Sequence, residues 1–596
     1  MNQSDLTSLN PPRPNLTLNV GITGHRAHVL SDAIVAKLET RIDRCFDRLM
    51  AAVHAIASDK NSVFSDAPPR LLLHTALATG ADQLAATSAK RRNYQVRALL
   101  PFPVDEYERD FSERSEHHEF CKHLEAANSY FALPGSREAE NHAYVMVGKA
   151  VIAAADVLVA VWDGNEGNGP GGTAHVVDLA VRAGVPVLHI PVDRDAESLG
   201  RTRLLVGGDI VDPEIAPLDS DEDLESIIRD VLTPAPAMGL GDLETFFAEE
   251  EISFNPRIEY PLLLAALGVK GLSSAPWRQM PLNDALARYK SKSEVDFGNQ
   301  ALSFEWANFL AIRYAQLFRS GHITNYMLSA LAVLTALAGL LVPDIKAWLV
   351  VGELALIGML LFNTRIGSEG GWHRKWLQYR HLAECLRPLP YLKRTGLVGP
   401  PFRIEHVSTS RGSGAVGDWT RWYSAAIWRE MPSPDGVMDA AAIRSLVAEV
   451  IENDIADQMG YHRSNAKRMH QLDHRLHLVG EAVMATVIAA CGIYLLLNLL
   501  APGLLKQLTY LFVFVTAGFP ALGAAVFGMR GHGEHLLAAS RSANTANSLA
   551  ANSEKLKQVR DIESLASELE RTAEIMLSDL NEWTVAYSER SLQVPA

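Results

Sequence analysis

Residues Ile323 to Val342 read ITNYMLSALAVLTALAGLLV, and this stretch decides the fold of the carboxyl-terminal half of the chain. It contains no charged side chain, and the nearest charges outside it are Arg319 and Asp344. At about 1.5 Å of rise per residue, a helix over these positions crosses the roughly 30 Å of a bilayer's hydrocarbon layer. The stretch therefore predicts a transmembrane helix.

Three further apolar stretches complete two predicted hairpins. Ala347 to Phe362 carries one acid, Glu353, near its middle. Leu478 to Leu500 carries Glu481 near its start, and Leu508 to Met529 is uncharged. Because core helices of soluble proteins seldom need apolar runs of this length, the chain is predicted to cross a membrane four times.

Each hairpin is preceded by an amphipathic stretch and followed by a long polar one, which indicates an internal duplication. We assign residues 289–395 to the first two-helix unit, 396–450 to a connector and 451–596 to the second unit. Basic side chains flank both units, whereas the short connections inside the hairpins hold only Lys346 and Lys506. The positive-inside rule then predicts a multi-pass protein of the inner, cytoplasmic membrane with both termini in the cytoplasm.

Charge and composition limit the possible partners. The 596 residues include 55 Lys and Arg against 69 Asp and Glu, and the net charge of −14 argues against a protein that coats a nucleic acid polymer. The four cysteines are far apart and form no CxxC pair, so neither a structural zinc site nor a disulfide framework is expected. Residues 1–17 are predicted to be a disordered tail without the apolar core of a signal peptide.

The amino-terminal part alternates short apolar runs with amphipathic stretches of helical period. This alternation predicts a doubly wound, Rossmann-like parallel sheet with helices on both faces over residues 18–192, followed by an acidic linker region, 193–288. Such sheets bind ligands in the loops at the carboxyl ends of their strands. The predicted strands are Leu18 to Ile22, Leu71 to Ala76, Gln95 to Leu100, Val157 to Val161 and Val185 to Ile190; the predicted helices are Ser31 to Ala57, Ala81 to Arg91, Asn141 to Ala155 and Thr173 to Ala183.

Those loops hold glycines and polar side chains. The first predicted strand ends in GITGHR, the second leads to TGAD, and the fourth ends in WDG, after which GGT opens a helix. Glycine lets backbone amides approach a ligand, an arginine pairs with phosphate, and a helix amino terminus, here predicted to be capped by Thr173, attracts anions. The predicted ligand-binding residues are Gly21, Thr23, Gly24, His25, Arg26, Gly80, Asp82, Asp163, Gly164, Gly171, Gly172 and Thr173.

With the motifs GITGHR, ATGADQLAA, LPFPVDEYERDF, ADVLVAVWDG and GPGGTAHVVDLA in this order, the range from about Leu18 to Val192 resembles the SLOG superfamily, the Rossmann-like group that includes DprA-type and LOG-type proteins. The duplicated half is similar in architecture to the SLATT-type membrane domains of bacterial conflict systems. The resemblance implies that a nucleotide or nucleotide-derived signal binds the sheet domain and gates or assembles a four-helix pore in antiphage or conflict defence. We also expect a homo-oligomer, and no cofactor besides the nucleotide ligand.

One departure from the family pattern bears on catalysis. LOG-type phosphoribohydrolases carry a glutamate three residues after the threonine of their glycine-rich motif, and this chain has Val176 there. Without that carboxylate, hydrolysis requires Asp82, Asp163 or Asp178 as a substitute. The main prediction is therefore a sensor without catalytic residues. The alternatives are a membrane-anchored nucleotide hydrolase and an interaction scaffold that has neither ligand nor chemistry.

A short histidine-rich segment resembles a metal site in its residue types only. His117, His118, Glu119, Cys121 and His123 are close in sequence, and a helix brings the first and fourth of them to one face. The segment SERSEHHEFCKHLE nevertheless has the pattern of a charged surface helix, so no metal site is predicted.

Glu353 and Glu481 lie within predicted spans, where an ionisable side chain is costly and usually faces a partner or a water path. Both are candidates for residues that line a pore. For Glu353 the alternative is an interhelical contact with Asn325, Thr335 or Thr364. Glu481 lies near a span boundary, where it can instead reach the lipid headgroups.

Overall fold

A computed structural model describes residues 10–60, 62–165, 169–206, 214–217, 221–235, 239–291, 295–400 and 418–587. It confirms the predicted fold class, because a mostly parallel α/β sheet domain is followed by a helical region with four long apolar helices. Residues 1–9 of the predicted tail lie outside the described ranges. Leu16 is buried and Thr17 begins the first strand, so the last residues of that tail belong to the fold.

The sheet is built around parallel strands. Its path runs β10–β4–β3–β2–β1–β5–β6–β8–β9, and β7 pairs with β6 beside this path. The pairs from β10 to β6 are parallel, whereas β8 and β9 continue the sheet antiparallel. The strands are β1 (Thr17–Gly24), β2 (Arg70–Thr75), β3 (Gln95–Leu100), β4 (Ser129–Ala132), β5 (Val157–Trp162), β6 (Val187–Asp193), β7 (Ser198–Leu199), β8 (Arg203–Val206), β9 (Glu214–Pro217) and β10 (Gly436–Val437).

The strand order reverses between β1 and β5, as a doubly wound sheet requires. The five predicted strands correspond to β1, β2, β3, β5 and β6, whose apolar runs are buried on both faces. β4 was not predicted, because its four residues, SYFA, are too few to show a strand period. Its backbone is held in place by β3 on one side and by β10, from a distant part of the chain, on the other.

Helices cover both faces of this sheet. The four predicted helices correspond to the first, second, fifth and sixth of the series, and the first is typical: Ser31 caps it, and Ile34, Leu38, Ile42 and Phe46 form its buried stripe. The series is α1 (Asp32–Ala57), α2 (Ala81–Arg91), α3 (Val104–Tyr107), α4 (Arg114–Ala126), α5 (Glu140–Ala154), α6 (Thr173–Arg182) and α7 (Asp221–Leu232).

The range 193–288, predicted as an acidic linker, contains regular structure that extends the sheet domain. β8 pairs with β6, and α7 packs against α1 with Leu224 and Ile228 in the common core. The acidic side chains gave the segment its linker-like composition, but its apolar residues recur at helical spacing. Three short helices complete the range: α8 (Leu240–Phe247), α9 (Glu259–Ala266) and α10 (Leu282–Lys290).

Each predicted span belongs to a long helix that also includes polar residues outside the apolar layer. α11 (Asn299–Leu341) and α12 (Lys346–Glu369) form the first hairpin, and after it come α13 (Trp372–Leu386) and α14 (Leu389–Thr395). The second hairpin and the helices around it are α15 (Asp418–Glu430), α16 (Ala440–Glu449), α17 (Ala456–Leu500), α18 (Pro502–Gly533), α19 (His535–Leu556) and α20 (Ile562–Tyr587). α11 also packs against α18, so the two hairpins are in contact.

Four of these helices, α11, α12, α17 and α18, carry stretches long and apolar enough to cross a membrane. Their apolar windows expose most of their side chains, as expected of helices whose surroundings are lipid. Pro520 lies inside α18, which continues through it to Gly533. These features are those of a multi-pass membrane protein.

The connector, 396–450, contributes directly to the sheet domain. Residues 401–417 lie outside the described ranges, but α15 packs against β1 and β10 forms the sheet edge beside β4. A buried ion pair joins Arg429 to Asp156, with 2.8 Å between Nε and Oδ1. One continuous apolar core includes the sheet, α15 and the polar half of α11. The sheet domain and the start of the membrane helices therefore share their packing.

Candidate functional site

A pocket of about 330 Å³ opens at the carboxyl ends of β1 and β5, where the strand order reverses. Its walls come from the loops after β1, β2 and β5, from the start of α6 and from one face of α5. In doubly wound sheets this switch point is the usual ligand site, because neighbouring loops turn to opposite faces and leave a crevice. The pocket lies where the sequence predicted a ligand.

Nine of the twelve predicted ligand-binding residues line this pocket: Thr23, Gly24, His25, Arg26, Asp82, Asp163, Gly171, Gly172 and Thr173. Gly21, Gly80 and Gly164 are not among the lining residues. Gly21 serves packing, because a Cβ there would lie 2.9 Å from the Cβ of Ala155 behind β1. Gly164 lies in open space with φ of +85°, so it serves the turn after β5.

Gly80 and Gly24 let the first two loops touch. The His25 and Ala27 backbones exchange hydrogen bonds with the second loop, at 3.2 Å from the Ala81 amide to the His25 carbonyl and 3.2 Å from the Ala27 amide to the Thr79 carbonyl. A Cβ at Gly80, whose φ is +96°, would lie 2.6 Å from that His25 carbonyl oxygen. Glycine is therefore needed there for close approach, and it shapes the pocket without lining it.

The start of α6 provides the anion-binding geometry that the sequence predicted, but with a different cap. The helix begins at Thr173, so Gly172 is the N-cap residue, and no side chain caps it. The capping role predicted for Thr173 is therefore wrong. Instead, the Gly171 amide donates to Nδ1 of His175 at 3.0 Å, which holds the glycine loop against the first turn. Free amides at a helix start favour a negatively charged group.

Arg26 lies along one wall and is held there by two neighbours. Its guanidinium carbon lies 5.2 Å from the ring centre of Tyr144, and its Nη2 lies 3.7 Å from the carboxylate of Asp110. That carboxylate also accepts hydrogen bonds from Tyr144 and, at 2.6 Å, from Arg137. Since Asp110 is shared with a second arginine, it neutralises Arg26 only in part, and Arg26 remains available to an anion.

A second arginine, Arg194, also lines the pocket and forms an ion pair with Asp163. Burial alone would raise the pKa of Asp163, but hydrogen bonds from Asn165 and Arg194 outweigh it and lower that pKa. His25 accepts the Asp163 amide at Nε2, at 3.1 Å, and burial lowers its pKa. His25 is therefore neutral near pH 7 and orients the turn after β5, while the carboxylate stays ionised.

The carboxyl groups suggested as substitutes for the missing catalytic acid differ in their surroundings. Asp82 is buried in the pocket wall, where its Oδ2 accepts from Thr75 Oγ1 and from the Ala76 amide, both at 3.0 Å. Burial raises the pKa of Asp82 to about 6. Asp178 does not line the pocket and pairs with Arg182 on the same helix, at 3.0 Å.

Val176, at the position where LOG-type phosphoribohydrolases carry a glutamate, packs on the neighbouring helix. A Cβ at Gly148 of α5 would lie 2.8 Å from its Cγ2, so valine and glycine fit together where α5 and α6 cross. The position is buried, at 5% exposure, and borders the pocket.

Three contributors to this site were not predicted: Arg194, Tyr144 and Asp110. Arg194 directly follows β6, so the rule that ligands bind beyond strand ends, applied to one more strand, would have found it. The other two carry no such signal. Tyr144 lies in the second turn of α5 and Asp110 ends a short 3-10 helix, Glu108–Asp110, and only packing brings them to Arg26.

The histidine-rich helix α4 has one compact polar group at the surface. Glu108, His117 and Cys121 place ligand atoms within 4.8 Å of one another, whereas His118 and His123 are not part of this group. Burial and the nearby Glu108 carboxylate raise the pKa of the Cys121 thiol, which disfavours the thiolate that zinc binds. The grouping alone assigns no metal.

Of the two acids in the spans, Glu353 forms no hydrogen bond or ion pair within the part of the chain that is described. Two of its suggested partners, Asn325 and Thr364, bond to each other instead, at 2.9 Å. The third, Thr335, donates to a carbonyl of its own helix. Glu481 lies 3.2 Å from Nε2 of His477, one turn earlier on α17, with its side chain 59% exposed.

No protein-family model matches this chain, and no curated protein matches it. The likeness to SLOG and SLATT domains thus stays a prediction from the quoted motifs and the architecture.

Proposed function

We propose that the chain is a bacterial membrane effector whose SLOG-like sheet domain binds a nucleotide-derived signal and thereby gates or assembles a pore of SLATT-like spans, in antiphage or conflict defence. One observation carries the proposal: the pocket at the switch point combines the uncapped start of α6 with two lining arginines, Arg26 and Arg194. Backbone amides and the partly neutralised Arg26 suit a phosphate group, and Arg194, although paired with Asp163, adds further N–H donors to the pocket.

α5 supports a route from this pocket to the membrane helices. Tyr144, Val147 and Gly148 face the ligand pocket, while Lys149 on the same helix reaches α20, at 2.6 Å from Nζ to Oε1 of Glu563. α20 packs in turn on α13 and α14, which follow the first hairpin. A ligand that binds one position of α5 more tightly than another would therefore also shift α20, α13 and α14.

Glu353 supports the pore. It lies near the middle of the apolar stretch Ala347 to Phe362 of α12, whose apolar window is mostly exposed, and it has no hydrogen-bond or ion-pair partner within the described chain. An unpaired acid at this depth is costly in lipid. In a homo-oligomer it would instead face other copies of itself around a water-filled path, where rings of carboxylates select cations.

A binding assay with the full-length protein tests the ligand site. We would screen cyclic and linear nucleotides for a shift in melting temperature, since a ligand at about 100 times its Kd adds about 2.7 kcal/mol. Arg26→Ala should weaken binding of the active nucleotide about tenfold or more. The control variant is Arg109→Ala, which removes an exposed arginine from the segment before α4 and should leave the affinity for the nucleotide unchanged. Equal affinity of both variants would place the ligand elsewhere.

A charge exchange tests the route through α5. Lys149→Glu and Glu563→Lys should each weaken nucleotide-dependent ion flux in proteoliposomes, and the double exchange should restore it, because the pair is re-formed with opposite polarity. The matched control is Lys122→Glu, which breaks a similarly exposed pair with Glu119 on α4. Exposed pairs contribute only about 0 to 1 kcal/mol, so the melting temperatures should hardly change. Nucleotide-dependent ion flux that is unchanged in both single variants would contradict this route.

A nucleotide hydrolase anchored to the membrane is the second candidate, and Asp82 favours it. A carboxyl with a pKa near 6 inside a ligand pocket is suited to act as a general acid near neutral pH. Incubation of the purified protein with nucleoside monophosphates, followed by chromatography for a released base, tests this function. Product formed by the wild type and lost in Asp82→Asn would select the hydrolase over the sensor, whereas no product together with ligand-dependent flux would exclude it.

A further inference from the structure

A second and larger cavity, of about 800 Å³, lies between the two hairpins where their helices leave the apolar layer. α11 and α13 of the first unit form one side, α17 to α19 of the second unit form the other, and α9 closes one end. Ile323, the first residue of the uncharged stretch, lines this cavity, and Arg319 one turn earlier lines it as well. The cavity therefore spans the boundary between the polar and apolar zones.

Arg319 supplies positive charge to this cavity. Its guanidinium carbon lies 5.3 Å from the ring centre of Tyr260 and 5.0 Å from that of Trp376. Within the described chain, no carboxylate forms an ion pair with Arg319 and no acceptor takes a hydrogen bond from it. The second lining arginine, Arg380, is neutralised by Glu384 at 2.7 Å. A guanidinium held only by aromatic rings keeps its N–H donors for an anion.

Aromatic and imidazole side chains line the cavity together with this cation. The rings of His322 and His373 lie 4.6 and 4.4 Å from that of Phe318, and the Tyr326 hydroxyl lies 2.5 Å from Nδ1 of His532. Burial and the nearby arginine lower the pKa of His535 to about 4, so this imidazole is neutral and donates a single N–H at neutral pH. Glu534 is the carboxylate among the lining residues.

Apolar side chains line the cavity as well. Leu263, Ile323, Leu476 and Met529 are among its lining residues, so its surface is partly polar and partly apolar. A soluble phosphate compound would leave this apolar surface without a partner. A phospholipid matches both kinds of surface, because its phosphate reaches the polar side chains while its acyl chains remain in the bilayer. Basic pockets of this kind between membrane helices hold anionic headgroups.

We propose that this cavity binds the headgroup phosphate of an anionic phospholipid, with Arg319 as its main contact, and that the bound lipid joins the two hairpins. The lipid contacts α11 on one side and α17 to α19 on the other, so its binding stabilises their association. This site is separate from the nucleotide pocket of the sheet domain, and the inference does not depend on the function proposed for that pocket.

The test compares full-length protein in nanodiscs of phosphatidylcholine alone with protein in nanodiscs that also contain phosphatidylglycerol. Phosphatidylglycerol should raise the melting temperature of the wild type and of Arg365→Gln, which alters an exposed arginine at the end of α12, outside the cavity. Arg319→Gln should abolish the rise, because its affinity for the anionic lipid falls about tenfold or more. An equal rise in both variants, or none in the wild type, would overturn the proposal.

Two further arms identify the source of the phosphate. Inorganic phosphate or glycerol phosphate, added to protein in phosphatidylcholine nanodiscs, should produce no shift, and a shift that depends on Arg319 would overturn the lipid assignment in favour of a soluble anion. Native mass spectrometry of the wild type, released from mixed nanodiscs, should show phosphatidylglycerol retained in preference to phosphatidylcholine. This measurement needs no variant, so it decides the proposal even if Arg319→Gln does not fold, and equal retention of the two lipids would refute it.

Discussion

Arg429→Ala tests whether the connector is an integral part of the sheet domain. Arg429, near the end of α15, pairs with Asp156 at 2.8 Å, and both side chains are about nine-tenths buried. The other carboxylate oxygen of Asp156 accepts from the backbone and side-chain nitrogens of Asn19 on β1, at 2.9 and 3.1 Å. Arg429 also donates to the carbonyl of Val231 at 2.7 Å. The ion pair thus connects α15 to β1 through Asp156.

The expected cost follows from this burial. Truncating the arginine leaves the Asp156 carboxylate buried without its counter-charge, which typically costs about 3 to 5 kcal/mol. For an α/β domain of this size, each kcal/mol lowers the melting temperature by about 2 to 4 °C, so we expect a fall of roughly 6 to 20 °C. Removing both charges together, in Asp156→Asn with Arg429→Met, should recover most of this loss, because no charge then remains buried.

Tryptophan fluorescence during thermal unfolding is the appropriate measurement, because α15 carries three buried tryptophans: Trp419, Trp422 and Trp428. The matched control is Arg182→Ala, which breaks the exposed pair with Asp178 on α6 and should cost less than about 1 kcal/mol. If Arg429→Ala melts within the range of this control, or if the double variant is no more stable than Arg429→Ala, the docking of α15 by a buried ion pair is refuted.

Three further predictions concern the site and the membrane region. Asp82 has a folded pKa of about 6 against an ordinary 3.8, so its contribution to stability is favourable at low pH and is lost as the pH rises through this window. The stability of Asp82→Asn relative to wild type should therefore rise by about 2 to 3 kcal/mol between pH 4 and pH 8, and a constant difference in melting temperature would contradict this. Cysteines placed at Asp344 and Gly503 should react with a membrane-impermeant maleimide in intact cells, whereas one at Ser4 should not; labelling at Ser4 would overturn the predicted topology. Glu353→Gln should alter the ion selectivity of nucleotide-activated current in bilayers, and wild-type conduction by Glu353→Leu would show that this acid does not line the path.

The spans and the main strands could be predicted because their signal is local. An uncharged stretch such as Ile323 to Val342 is long and apolar enough to cross a membrane whatever its neighbours are, and a doubly buried strand such as β1 needs an unbroken apolar run. The glycine loops were also predictable, because parallel strands bring their carboxyl ends to one edge of the sheet. Nine of twelve predicted residues therefore meet in one pocket.

The errors at this site concern details that depend on neighbouring backbone. Whether Thr173 is the cap or the first helical residue differs by a single position, and a sequence pattern does not fix a helix boundary to one residue. Gly80 was predicted to bind a ligand, but its conformation serves the contact between two loops. A sequence motif does not distinguish these roles, because both require glycine.

The sequence alone determined which stretches are long and apolar enough to cross a membrane, which residues form the parallel strands and where those strands place their loops. Only the tertiary structure showed that β10 and α15, which come from the connector 396–450, belong to the sheet domain. A two-residue strand and one ion pair leave no periodic pattern in the sequence. The same holds for the cavity around Arg319, whose aromatic neighbours Tyr260 and Trp376 come from different helices. Side chains that are distant in sequence become neighbours only when long-range packing repays the entropy of closing the chain between them.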